Sequence, residues 1–426
     1  MVARLARRLP WNGLAATLAA TLLCAALPAA GGEAHAQHGA PAAEAPARAA
    51  RPERPQLGTT ATFADDGTLF AVLVEGGHVL LHRSDDRGRS WHAPVRVNAE
   101  AEPISADGEN RPKIVALPGG RLVVSWSRRL GRQYAGEVRI ARSDDGGRSF
   151  SAPRVVHGDR QEIGHSFESL IVDRQGRLHV FWLDKRDGEA ARLAARPYRG
   201  SAVYFAVSDD GGASFHGETR LADHSCECCR IATALDVDGR PLVLWRHVFA
   251  PNERDHALAS IAADGTPGAP VRATFDRWRV DGCPHHGPAL AVTADGTRHA
   301  VWFNQRSGED GAAAGGRVFH GRLAEGRVLA QRSVGGERAA HADIGAAGQQ
   351  VAIVWKEFDG ERTQLHAEIA VAPGAPFAHR RLAATERASD QPRVIRHGDA
   401  LFAFWRTEAD GLRLFPLSPD AASEPR

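Results

Sequence analysis

The sequence predicts an all-β fold, a β-propeller of four-stranded antiparallel blades, seven in number with six as the alternative count. Three observations lead there. A short phrase, S-x-D-x-G-x-S-W/F, recurs as Ser84–Trp91, Ser143–Phe150 and Ser208–Phe215, at intervals of 59 and 65 residues. A tryptophan recurs as Trp126, Trp182, Trp245, Trp302, Trp355 and Trp405, with spacings of 56, 63, 57, 53 and 50 residues. Around both markers, short apolar or alternating runs are separated by Gly- and Pro-containing turns, and no unit carries a helical period of useful length. Units of about 50 residues with four strands each cannot bury their faces alone, and radial stacking leaves only short, protected sheet edges.

In chain order, the first 36 residues read as a signal peptide: Arg4, Arg7 and Arg8 precede an apolar stretch from Leu14 to Ala30, and Ala34-His35-Ala36 offers small residues for cleavage before Gln37. Cys24 lacks the small preceding residue of a lipoprotein signal, because Leu23 stands there. The expectation is a periplasmic or secreted product. Residues 37–56 are mostly Ala, Pro, Arg and Glu, too poor in large apolar groups to pack, and read as a disordered linker. The propeller is expected over 57–420. No later run of about 18 apolar residues offers a membrane span.

Seven unit starts fall near Thr59, Arg111, Ser166, Arg230, Gly287, Ala342 and Gln391. The second unit has every part: Arg111–Leu117 as strand one, Pro118-Gly119-Gly120 as turn, Leu122–Trp126 as strand two, Glu137–Ala141 as strand three and Pro153–Val156 as strand four. The first unit has Leu69–Val74 where later ones carry tryptophan, and the last ends after a third strand at Leu412–Leu417. A segment near Pro55–Gly58 is expected to supply the missing outer strand.

The repeated phrase is built as a turn staple. Asp86, Asp145 and Asp210 can accept turn amides, Gly88, Gly147 and Gly212 permit positive φ, and the aromatic packs beneath the turn. The phrase resembles the Asp-box, or BNR repeat, of the sialidase superfamily, over residues 59 to about 417. The resemblance implies that the box lies between strands three and four, and that an enzyme of this kind would be an exo-sialidase or related glycoside hydrolase. Such chemistry needs convergent arginines, a Tyr nucleophile assisted by Glu, and a separate acid. Arg111, Arg230 and Arg393 stand at or near strand-one starts, where they would face the channel, and Glu168 is an inner-strand carboxylate. The F/Y-R-I-P phrase of the family is absent. The only tyrosines are Tyr134, Tyr198 and Tyr204, none in the later units where the family places its nucleophile.

The chemically unusual residues are elsewhere. His224-Ser225-Cys226-Glu227-Cys228-Cys229-Arg230 and Asp281-Gly282-Cys283-Pro284-His285-His286-Gly287-Pro288 each precede strand one of adjacent units, so the two segments should meet beside the channel. Four cysteines in an exported chain can form two disulfides. Thiolate and imidazole donors equally suit copper(I) or zinc, with Cys226, Cys228, Cys229, Cys283, His285 and His286 as candidate ligands. One disulfide with His224, His285 and His286 left free, or a redox-active thiol pair, are further arrangements. The spacing matches no zinc-finger pattern.

Polar residues also recur at strand-one entrances: Asn110 with Arg111, His165 with Glu168, His341 with Asp343, and Asp390 with Gln391. With Arg230 and Arg393 they form a candidate ring for a small anionic or glycan ligand. Arginine outnumbers lysine 50 to 3, but acidic residues offset it to a net charge of +2 with no basic run, which disfavours nucleic acid. Three function classes follow: a metal- or ligand-binding propeller, a glycoside hydrolase, and a platform for a protein partner.

Overall fold

The computed structural model describes residues 55–305 and 315–418. The signal peptide read over 1–36 and the linker over 37–56 lie outside the described residues except for 55 and 56, as do the last two positions of the 57–420 span. The inner strands are Thr60–Phe63, Lys113–Leu117, His165–Val172, Ala232–Leu235, Ala289–Val292, Ala339–Ala347 and Arg393–His397. Each opens an antiparallel unit whose strands pair in chain order, four strands in each of the first six units and three in the last. The blade count is therefore seven, not six.

Seven apolar clusters fill the seven seams. In six of them a tryptophan from the second strand of one blade packs against the blade before it: Trp126, Trp182, Trp245, Trp302, Trp355 and Trp405, all fully buried. Withdrawing about 200 Å² of each ring from water contributes roughly 5 kcal/mol, which explains why this position alone repeats so faithfully. The seventh seam, between last and first blades, is filled by Phe402 and Phe404 against Ala61, Phe63, Leu69 and Ala71. Two phenylalanines thus stand in for the tryptophan the first blade lacks.

The repeated phrase closes the hairpin between third and fourth strands of the first three blades. In the second blade Asp145 Oδ1 accepts the Ser143 hydroxyl at 2.7 Å and the Ser149 amide at 3.0 Å, while Oδ2 accepts the Ser149 hydroxyl at 2.6 Å. Gly147 has φ +83, and a Cβ there would lie 2.4 Å from Leu81 Cδ2 on the preceding blade. The turn is pressed onto its neighbour, so this glycine is needed for both backbone and space.

Three expectations change. Pro55–Gly58 adds no strand; Gly58 donates its amide to Ala106 O at 2.9 Å, at the inner end of the blades and not on the outer edge. The third blade carries a helix, Arg186–Leu193, braced by Arg220 Nη1 to Asp187 Oδ1 at 2.8 Å and by the Tyr204 hydroxyl to Asp187 Oδ2 at 2.8 Å. Blades three and four are fused into one eight-stranded sheet by the pair Ser225–His247.

Closure of the ring is polar as well as apolar. Asp390 Oδ2, just before the seventh inner strand, accepts Arg111 Nη1 at 2.6 Å and the Thr59 amide at 2.9 Å. Arg111 also donates to Thr59 O at 3.1 Å and, through Nε and Nη2, to Gly108 O. The group is fully buried, and burial pushes its pKa down to about 10, still charged at neutral pH. Asp390→Ala should leave this guanidinium buried without its counter-ion and cost about 3 to 5 kcal/mol; thermal unfolding of the variant is expected well below the parent, and an unchanged midpoint would refute the role in closure.

Candidate metal centre and channel cluster

Both Cys/His segments are held by the same arginine. The Cys226–Cys229 loop leaves the outer strand His216–Ser225 of the third blade, and the Cys226 amide donates to Arg246 O at 2.9 Å on the second strand, Pro241–Phe249, of the fourth. The buried Arg246 guanidinium donates to His286 O at 2.9 Å, Phe303 O at 2.5 Å, Asn304 Oδ1 at 2.8 Å and Arg254 O at 3.0 Å. Arg230, directly after Cys229, adds a second brace through Nε to Pro288 O at 2.7 Å. Gly287 lies so close that a Cβ would come within 2.3 Å of Arg230 Cγ. The entrance to the fourth blade and that to the fifth are thereby drawn together.

Cys226, Cys228 and Cys229 are buried, with donor sulfurs all within 4.8 Å of one another; Cys228 also belongs to a second set with the exposed Cys283 and His285, again within 4.8 Å. Cys226 Sγ lies 3.3 Å from Cys229 Sγ and 3.8 Å from Cys228 Sγ. A tetrahedral ion about 2.3 Å from each sulfur spaces its ligands about 3.8 Å apart, so the loop needs little change to hold one. All four described cysteines are free, and no described pair approaches the roughly 2.05 Å of a disulfide. Hydrogen bonds from Cys228 and Cys229 hold the Cys226 thiol well below its usual range despite burial, with Arg246 adding to the effect. The bond to Cys226 raises Cys228, and burial raises Cys229. Arg254 Nη1 sits 3.8 Å from Cys226 Sγ. Three sulfurs, those of Cys229 and Cys228 lying 3.3 and 3.8 Å from that of Cys226, with a guanidinium beside them, form a soft donor set.

His286 and His224 stand outside it. The His286 ring stacks at 4.2 Å on both Phe303 and His341, and burial, with the neighbouring His341, pushes its pKa down to about 3. His224 packs on Tyr198, its Nδ1 3.2 Å from Arg199 O.

The three channel arginines do converge, around carboxylates. Glu109, missed in the sequence although it adjoins Asn110 and Arg111, has Oε2 3.7 Å from Arg230 Nε and Oε1 4.0 Å from His341 Nδ1. Burial opposes its charge, but Arg230, His341 and Arg393 outweigh that and hold its carboxyl well below the usual range. Asp343 Oδ1 lies 3.9 Å from Arg230 Nη2 and 3.7 Å from Arg393 Nη1, while Oδ2 accepts the Val394 amide at 2.9 Å. Glu168 accepts the Ser127 hydroxyl at 2.7 Å and that of Ser125 at 3.2 Å. Lys113, whose pKa burial pushes down to about 8, donates to Arg111 O. Asn110 Oδ1 lies 2.9 Å from Ser127 Oγ and accepts the Phe167 amide, and the Gln391 amide donates to Asp390 Oδ1 at 2.6 Å. His165 is not among these groups: it stacks on His157 at 3.9 Å, with Nδ1 3.1 Å from Gly136 O and Nε2 3.7 Å from Asp159 and Asp184.

No protein-family model and no curated protein matches the chain. Solved structures do. An ulvan lyase from a new family of polysaccharide lyases is 10% identical, covers 84% of this chain and 90% of its own, and gives a TM-score of 0.54. The leech intramolecular trans-sialidase is 9% identical, with 84% of each chain covered and a TM-score of 0.50. A Dyadobacter fermentans protein of unknown function is 15% identical over 75% of this chain and 96% of its own, with a TM-score of 0.50. The chain has the sialidase-like propeller fold.

The other ingredients of sialidase chemistry are placed differently in this sialidase-like propeller. The Tyr198 hydroxyl donates to Asp223 at 3.1 Å and that of Tyr204 to Asp187 at 2.8 Å; burial and these carboxylates raise both phenols. Tyr134, 81% exposed, lines a surface cavity of about 360 Å³ with Tyr198, Lys185 and Glu227. No described tyrosine is bonded to the channel arginines. Exposed large apolar residues of this propeller are spread over several blades, among them Leu193, Val237, Phe275 and Phe358. No described helix is long and apolar enough to cross a membrane.

The brace between the two loops makes a prediction. Gly287→Ala should push the Cys283–His286 segment off Arg230 at a cost of about 1 to 3 kcal/mol and open the cover over the buried sulfurs. Labelling of Cys228 and Cys229 by a thiol reagent is expected to accelerate several-fold; an unchanged rate would argue against the brace.

Proposed function

We propose that this protein is an exported metal-binding propeller that takes copper(I), in preference to zinc, at Cys226, Cys228, Cys229, Cys283 and His285. The observation that carries the reading is the membership of Cys228 in two three-donor sets built from segments far apart in sequence. Sulfur-rich, low-coordinate donors favour copper(I) over harder ions. The propeller has ample apolar core in its seven seams, so it does not need these cysteines as staples. Arg246 and Arg230 brace the loops without occupying a sulfur or an imidazole, which leaves the donors to an ion. Export is part of the proposal and draws on the Arg4-to-Ala36 segment.

The test is competition. Reduced, metal-free protein should retain copper(I) against a chelator that strips zinc, and Cys228→Ser should weaken retention by about 100-fold. Protein isolated from its own compartment with all four thiols oxidised, and unable to take copper(I) after reduction, would overturn the reading.

A second reading, a small anionic or glycan ligand at the channel, draws support from the convergence of Arg111, Arg230 and Arg393. Arg111 is committed to Asp390, Thr59 and Gly108, and Glu109 is too acidic to act as a proton donor near neutral pH. No described tyrosine is bonded to these arginines, so hydrolysis lacks its phenol at this place. An aryl sialoside should be turned over no faster than in buffer; efficient, saturable release would restore the hydrolase.

A further inference from the structure

The five donors do not form one set. The atoms of Cys226, Cys228 and Cys229 lie within mutual reach, and so do those of Cys228, Cys283 and His285, but the two groups do not merge. Two ligands on one ion, each about 2.3 Å from it, cannot be more than about 4.6 Å apart. A single ion placed among the three buried sulfurs therefore cannot also engage Cys283 and His285 as these stand. A thiolate sulfur has lone pairs enough to bind two soft ions at once, and Cys228 is the one donor common to both groups. The two halves also differ in environment: Cys226, Cys228 and Cys229 are buried, while Cys283 and His285 are exposed.

We propose that the site holds two copper(I) ions bridged by the Cys228 sulfur, an inner ion completed by Cys226 and Cys229 and an outer ion completed by Cys283 and His285. This rests on the metal-binding reading above and adds its stoichiometry and architecture. Charge supports it. Two monovalent cations beside Arg246 and Arg254 balance a set of four thiolates better than one does, and an unbalanced buried charge is costly. The exposed half is the side from which an ion can enter, and the shared sulfur gives it a route inward without leaving protein ligands.

Anaerobic titration of the reduced full chain with copper(I), against a colorimetric chelator, is expected to saturate at two ions per chain. X-ray absorption of the loaded protein should contain a copper–copper scattering shell. Cys283→Ser combined with His285→Asn, both at exposed positions, should lower the stoichiometry to one and remove that shell. Cys228→Ser should also abolish the shell. Saturation at one ion in the parent chain would overturn the bridged pair while leaving the metal-binding reading intact; no copper(I) retained at all would overturn both. Two ions bound with no copper–copper shell, or two ions still bound after Cys228→Ser, would refute the bridge.

Discussion

The ring exists because Asp390 accepts Arg111 and the Thr59 amide at once. Every other seam joins blades that follow one another along the chain, whereas the last must bring residues some 330 positions apart into register. Phe402 and Phe404 supply the apolar part of that seam, but apolar contact is non-directional and does not fix how one blade is set against the next. The Arg111 fork does. Its donors reach Asp390, Thr59 and Gly108, which belong to or lead into the seventh, first and second blades. A fully buried guanidinium is tolerated only where its donors are engaged and its charge is matched, and here both conditions define the geometry of closure.

Closure aligns the inner strands, and alignment is what the two Cys/His loops exploit. The segments before the fourth and fifth inner strands enter from the same end, so neighbours in the ring become neighbours in chemistry. Arg246 turns that proximity into a fixed arrangement, with its carbonyl on the Cys226 amide and its guanidinium on the His286 carbonyl. Its cost is a second buried arginine, offset by four acceptors. The Ser225–His247 pair serves the same end by locking the third blade's outer strand onto the fourth blade immediately before Cys226.

Residues whose role is set by nearby sequence were legible in advance. The Asp-box carboxylates bond within four positions of themselves, and each tryptophan occupies the same point of its own second strand, so spacing alone gave the blades, their inner ends and the approach of the two Cys/His segments. What sequence spacing could not give was the direction of a side chain where the strand is irregular. Phe167 and His341 have φ of +56 and +55, and the pairing slips beside them, between Phe181 and Leu183 and between Ala340 and Asp343. Such a bulge breaks the alternation by which one predicts inward from outward. His165 consequently lies in the seam between blades, and Glu109 enters the channel from before its strand begins. The Arg186–Leu193 helix was invisible for another reason: eight residues with no side-chain cap at Lys185 have little helical preference of their own, and contacts from Arg220 and Tyr204 to Asp187 hold them. Pro55–Gly58 was misassigned because an unfilled outer edge does not say which segment is near it.

The fold is shared with a polysaccharide lyase and a trans-sialidase, two different activities on one architecture, so the choice of function falls to the side chains. The buried Cys226 sulfur faces those of Cys229 and Cys228 across 3.3 and 3.8 Å, with the Arg254 guanidinium 3.8 Å from Cys226 Sγ. In the channel, Arg230 lies beside Glu109 and Asp343, Arg393 beside Asp343, and Arg111 is bound to Asp390, so each of these arginines has an acid neighbour. An incoming carboxylate would have to displace Asp343 from Arg393 or Glu109 from Arg230. Convergent arginines that already face acids are therefore better understood as the mortar of the ring.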